Sequence, residues 1–204
     1  MFKPDNIENE FFVKLGFSFS PDQLAKGKVL ISEPFLGDPN FNRSVILLTE
    51  YARGEGAFGL VINKPTELYM DDIIEGFPTH TFPFHYGGPV NPENLFFIHT
   101  LCKTVDEAQE VLPGLFWSGD FDQISTIVKG GTLNDGHVKF FGGYSGWGAD
   151  QLENELKERS WIICDLTVND IMENSPEEMW RSSLRALGKK FSIMADFPED
   201  PGLN

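Results

Sequence analysis

The residues most suggestive of chemistry form one glycine-aromatic stretch, Gly142-Gly143-Tyr144-Ser145-Gly146-Trp147-Gly148. Gly143-x-Ser145-x-Trp147 nearly matches the G-x-S-x-G elbow that presents a nucleophilic serine between a strand and a helix. The second glycine is displaced, and His137 shares the preceding strand with Ser145. Eight residues at about 3.3 Å each would hold those two side chains roughly 26 Å apart. His80, His85 and His99 are the remaining bases for a triad assembled in space. A second chemistry is phosphate capture on free amides where a glycine-rich turn opens a helix. That helix begins with Asp150, Glu153 and Glu155, and the turn holds no Lys or Arg, so its charge repels phosphate. The preferred reading is packing, in which the glycines admit a sharp turn and close approach against Tyr144 and Trp147.

Arg43 follows a tight turn and stands before a strongly apolar strand. It reads as an anion anchor or, preferably, as a partner of Asp38 and nearby carbonyls. Asn63 suits a backbone-bonding role at a strand end, and Lys64 a solvated one. The candidate ligand pocket therefore comprises Arg43, Asn63, Gly87, Gly88, Tyr144, Ser145, Gly146 and Trp147, with no catalytic residue assigned. His99-x-x-Cys102 fails as a metal pair, because an odd separation in a strand points side chains to opposite faces. Cys164 stands alone among Ile162, Ile163 and Leu166. No metal and no cofactor is called for. Phe77, Phe82, Phe84, Phe96 and Phe97 read as core, since a base-stacking platform needs basic neighbours.

The elements that must position these residues follow from the same sequence. Ser20-Pro21-Asp22-Gln23 is a capping box, and Lys28 to Glu33 a strand. Ser44 to Tyr51 and Phe58 to Asn63 form a hairpin. Thr66 to Glu75 and Asp106 to Val111 read as helices. Phe84 to Tyr86, Leu95 to Leu101, Leu115 to Ser118, Val138 to Tyr144 and Trp161 to Leu166 read as strands. Further helices begin at Asp120, at Ala149 and at Ser175-Pro176. The expected class is α+β, a compact single domain whose mixed, strongly twisted, barrel-like sheet is flanked by helices. Residues 1–19 read as a loosely ordered segment, 20–197 as the domain and 198–204 as a tail.

Composition narrows the function classes. With 204 residues, 41% of them hydrophobic, the chain can bury roughly 70% of its unfolded surface without staples. Thirty-one acids oppose 16 bases for a net charge of −15, and the longest basic run is Lys189-Lys190. That disfavours direct nucleic-acid binding, which needs a concentrated basic face. There is no secretory h-region, no apolar run long enough to span a bilayer, and only two cysteines, so the expected setting is the cytoplasm.

Four segments together resemble one family. They are Gly27 through Pro34 with Asp38, Phe41 and Arg43-Ser44-Val45; Gly56 through Pro65; Tyr86-Gly87-Gly88-Pro89-Val90; and Gly142 through Trp147 with Gln151-Leu152-Glu153. In order and spacing they are similar to the AlgH/YqgE family of bacterial proteins, over roughly residues 20–204. The resemblance implies a compact α+β fold and no agreed catalytic residues; some members carry a transcriptional-regulator label. The resulting expectation is a non-enzymatic cytosolic protein acting through a protein partner or small ligand, with any regulation of transcription indirect. The alternatives are a direct transcriptional regulator, and a hydrolase-like or nucleotide-binding enzyme using a pocket near Ser145 and Arg43.

Overall fold

A computed structural model describes residues 20–101 and 104–198. The expected loose N-terminal segment, the tail from residue 199 and Cys102 of the His99–Cys102 pair lie outside the described residues. Ten strands form one sheet: β1 (Val29–Ser32), β2 (Val45–Ala52), β3 (Gly56–Val61), β4 (Pro65–Tyr69), β5 (Pro83–Tyr86), β6 (Val90–His99), β7 (Gln109–Leu112), β8 (Leu115–Trp117), β9 (Val138–Trp147) and β10 (Trp161–Cys164). Among the described residues six α-helices flank it: α1 (Met70–Ile73), α2 (Phe121–Lys129), α3 (Gln151–Lys157), α4 (Val168–Glu173), α5 (Pro176–Ala186) and α6 (Lys189–Ala195). This is the expected mixed α+β class; the sheet stays open, running β10-β1-β2-β3-β9-β6-β8-β7. No helix among the described residues is long and apolar enough to cross a membrane.

β9 organises the sheet. Its first half pairs with β6 on one edge and in parallel with β5 on the other, through Phe84–Phe140, His85–Phe141 and Tyr86–Gly142. Its last three residues then pair with β3, through Gly59–Ser145, Phe58–Gly146 and Ala57–Trp147. The handover happens where Gly87 and Gly88 cross Gly142 and Gly143. A Cβ on Gly88 would lie 2.1 Å from the Tyr144 carbonyl carbon, and one on Gly87 would lie 2.2 Å from the Gly143 oxygen. Only bare backbone fits that crossing.

Both faces of the sheet are covered. Val29, Ile31, Leu47 and Leu60 pack one way, against Ile171, Met179, Trp180 and Leu184 of α4 and α5. Leu30, Ile46, Leu48 and Val61 pack the other way, against Leu152 and Leu156 of α3. A third cluster joins Phe77, Phe82, Phe97 and Phe140 to Ile124 and Val128 of α2, so these phenylalanines are core.

Three local expectations are corrected. Thr66 to Glu75 is not one helix: Pro65–Tyr69 is strand β4, and only Met70–Ile73 is helical. Pairing with β5 outweighs the local helical pattern, and Thr66 anchors it by donating to the Phe84 oxygen at 2.8 Å. Asp106 to Val111 is not a helix either, because Gln109–Leu112 pairs with β8 across a turn at Pro113-Gly114, with Gly114 at φ +87°. Finally, Gly142–Trp147 is not a turn but the second half of β9.

Candidate functional site

With Ser145 inside a strand, the elbow geometry is gone. Its side chain is fully buried, and its hydroxyl donates to the Gly87 oxygen at 3.3 Å. No histidine hydrogen-bonds to it. His85 lies on β5 with its Nδ1 3.3 Å from the Phe140 oxygen, and burial followed by the nearby Lys139 charge pushes its pKa down to about 4. A neutral, backbone-bonded imidazole of this kind serves structure.

Arg43 and Asn63 act together at the end of the β2–β3 hairpin. The Asn63 amide accepts from Val45 N at 2.8 Å and donates to the Arg43 oxygen at 2.9 Å, as expected for a backbone-bonding residue. Arg43, held at φ +49°, donates to the Phe197 oxygen at 2.6 Å, with its guanidinium 4.9 Å from the Trp180 ring centre. It therefore ties the segment after α6 to the sheet. Lys64 is half-buried rather than solvated: it donates to the Asn40 oxygen at 2.8 Å, and burial lowers its pKa. Tyr144 stacks on Phe58 at 4.3 Å, on the side of β9 opposite Ser145.

Trp147 leads elsewhere. With Trp161 and Phe41 it walls a cleft of about 290 Å³, completed by Leu36, Asp38, Gly146, Gln151, Glu155 and Ser160. Of the eight residues singled out in the sequence, Gly146 and Trp147 line it. One carboxylate holds the walls in place. Glu155 Oε2 accepts from both indoles, Trp147 Nε1 at 2.8 Å and Trp161 Nε1 at 2.7 Å, while Oε1 accepts from Gln151 Nε2 at 2.9 Å. Gln151 and Glu155 are four residues apart on α3, hence on one face. The two indoles stand 82° apart with centres 6.0 Å apart, and Phe41 meets Trp161 edge-on at 5.6 Å.

The segments that frame the cleft carry backbone strain. Arg43, Asp150 and Arg159 all have φ between +49° and +67°; Arg43 follows the Leu36–Phe41 loop, and the other two flank α3. Such conformations persist where the surrounding structure overrides them, often at ligand sites. A wider, solvent-open depression of about 510 Å³ shares Trp147 and is lined by Lys26, Glu50, Tyr51 and Glu55. Beside it Glu153, buried, accepts from the Tyr51 hydroxyl at 2.9 Å, and Tyr51 rises to about 12 through burial and then that bond.

Sequence reasoning missed Glu155 as a builder, having counted it only as a charge that repels phosphate. Trp161 read as plain strand core. The available signal was two tryptophans bracketing an acidic amphipathic helix. Among the described residues no group of His, Cys, Asp or Glu is arranged to hold a metal ion. Cys164 is buried, and burial with the neighbouring Asp165 charge lifts its thiol to about 12.

Comparison with known proteins agrees with the fold. A family model described as AlgH-like matches residues 29–192. A UPF0301 protein of Cytophaga hutchinsonii is 42% identical over 182 residues, covering 89% of this chain and all of the relative. Another, from Bacteroides fragilis, is 42% identical over 200 residues, covering 98% and 100%. The solution structure of AlgH from Pseudomonas aeruginosa is similar at a TM-score of 0.69 and 29% identity, covering 89% of this chain and 98% of that one. A crystal structure of a Corynebacterium diphtheriae protein shares the fold at a TM-score of 0.73 and 19% identity, over 88% and 95%. With a family model over most of its length and full-length relatives at this identity, the chain belongs to the AlgH-like family.

Proposed function

We propose that this protein is a cytoplasmic binding protein rather than an enzyme, and that the Phe41–Trp147–Trp161 cleft receives a group of a protein partner or small ligand. Effects on transcription follow indirectly, through whatever occupies the cleft. The observation that carries this reading is Glu155 accepting both indole N–H groups. Trp147 and Trp161 are buried and meet edge-on, as aromatic pairs prefer; the charged acceptor fixes that geometry, and the margins of the two rings join half-buried Phe41 as a preformed wall of the cleft. Ser145, sealed in the sheet on a carbonyl, offers no nucleophile to that surface.

A fragment screen read by the indole N–H resonances of the four tryptophans tests the reading. Binders should move Trp147 and Trp161 and leave Trp117 and Trp180 in place. Glu155→Ala, which removes the shared acceptor, should abolish those shifts, while Ser145→Ala should retain them. Fragments that bind elsewhere, or shifts that survive Glu155→Ala, would overturn the assignment.

A further inference from the structure

The chemistry of the cleft specifies its occupant. Among the described residues three aromatic rings and two carboxylates line it, and no Lys or Arg does. Among the described residues Glu155 accepts three hydrogen bonds, from two indoles and one amide, on a carboxylate with about four acceptor positions, which leaves one. Asp38 uses Oδ1 for the Asn40 amide and side chain at 2.8 and 3.0 Å, and Oδ2 accepts no hydrogen bond among the described residues. Lys64 is held on the Asn40 oxygen and does not line the cleft, its charge disfavoured by burial. An anion would meet two carboxylates and no donor cation. A neutral apolar group would satisfy the rings but leave the Asp38 and Glu155 charges against it uncompensated.

A cation satisfies both features. An ammonium or guanidinium group entering the cleft meets the half-buried Phe41 ring and the margins of the buried Trp147 and Trp161, and the carboxylates add direct charge pairing. A volume of about 290 Å³ lies just below the range of pockets for drug-sized ligands and suits one long side chain entering through its mouth. The net charge of −15 draws basic partners in from a distance. We propose that the cleft captures a lysine or arginine side chain presented by a partner protein. This inference rests on the cleft being the binding site, as proposed above.

Three capped pentapeptides with Lys, Arg or norleucine at the centre of four alanines test it, alongside n-butylammonium chloride. The readout is the Trp147 and Trp161 indole resonances at low ionic strength. The Lys and Arg peptides should bind at least about tenfold tighter than the norleucine peptide, and added salt should erode that margin. Asp38→Asn and Glu155→Gln should each weaken the Lys and Arg peptides several-fold while sparing the norleucine peptide. Glu155→Gln keeps an acceptor for the indoles, so weakened Lys and Arg binding beside unchanged norleucine binding isolates the charge. Equal binding of norleucine and lysine peptides would overturn cation selection while leaving the cleft a binding site. Free n-butylammonium binding as tightly as the lysine peptide would overturn the protein-partner assignment in favour of a small amine. If no probe moves either indole, the cleft itself is not the site.

Discussion

His85 gives the plainest residue-scale prediction. Its folded pKa of about 4 lies below the ordinary value of 6.5, so between those pH values the unfolded chain binds a proton that the folded chain refuses. Stability from this group is fully present above pH 6.5 and is lost as pH falls toward 4, by on the order of 3 kcal/mol. Urea unfolding of His85→Gln across that window should show a correspondingly flatter pH dependence than the parent. Equal slopes would mean that His85 titrates normally in the fold. Glu153 adds to the acid limb at lower pH: burial alone would raise its carboxyl, but hydrogen bonds from its own amide, Tyr51 and Gly54 outweigh burial and lower it. Its contribution is present above its ordinary value of 4.5 and disappears as pH falls through the folded value.

At the element scale the decisive contact is the glycine crossing between the Gly87-Gly88 segment and β9. Gly88 sits at φ +152° with the Tyr144 and Ser145 backbone 2.1–2.4 Å from where a Cβ would be. Gly88→Ala should cost at least about 3 kcal/mol in chemical denaturation, or prevent folding, because neither backbone can yield without unpairing β9. A cost under about 1 kcal/mol would show that the crossing is loose. The same contact explains what the sequence did and did not disclose. The β2–β3 hairpin was legible because alternation and a local glycine loop specify it within a short stretch. The extension of β9 through Gly142–Trp147 was not, since its cause lies some 55 residues earlier, and locally a glycine cluster reads as a turn. The cleft was half legible for a similar reason. Trp147 and Gly146 were singled out for their composition, whereas Glu155 and Trp161 acquire meaning only when α3 folds back over the end of β9 and beside β10.

For the whole molecule, 31 acids against 16 bases leave a self-repelling surface. Among the described residues the pairs Lys28–Asp165, Arg53–Asp22 and Arg185–Asp196 are largely exposed and add little. Screening should therefore stabilise this protein: raising NaCl from low salt to about 0.5 M should lift Tm by roughly 2–4 °C, equivalent to about 1 kcal/mol for a chain of this size. A Tm that falls with salt would mean that attractive pairs dominate instead. The same charge predicts no mobility shift of duplex DNA at low ionic strength, the condition most favourable to non-specific binding.

The sharing of β9 among β3, β5 and β6 also has a consequence for synthesis. On the ribosome, β3 is complete at Val61, but the strand that closes its free edge ends at Trp147, 86 residues later by subtraction. At 5–20 residues per second that is an interval of roughly 4 to 17 s. From residue 99 onward, once β5 and β6 have also been made, the nascent chain carries three β-edges, from β3, β5 and β6, all waiting for the same late segment. A transcript truncated before residue 138 would leave them permanently available to other chains, and so would yield an aggregating fragment rather than a smaller folded protein.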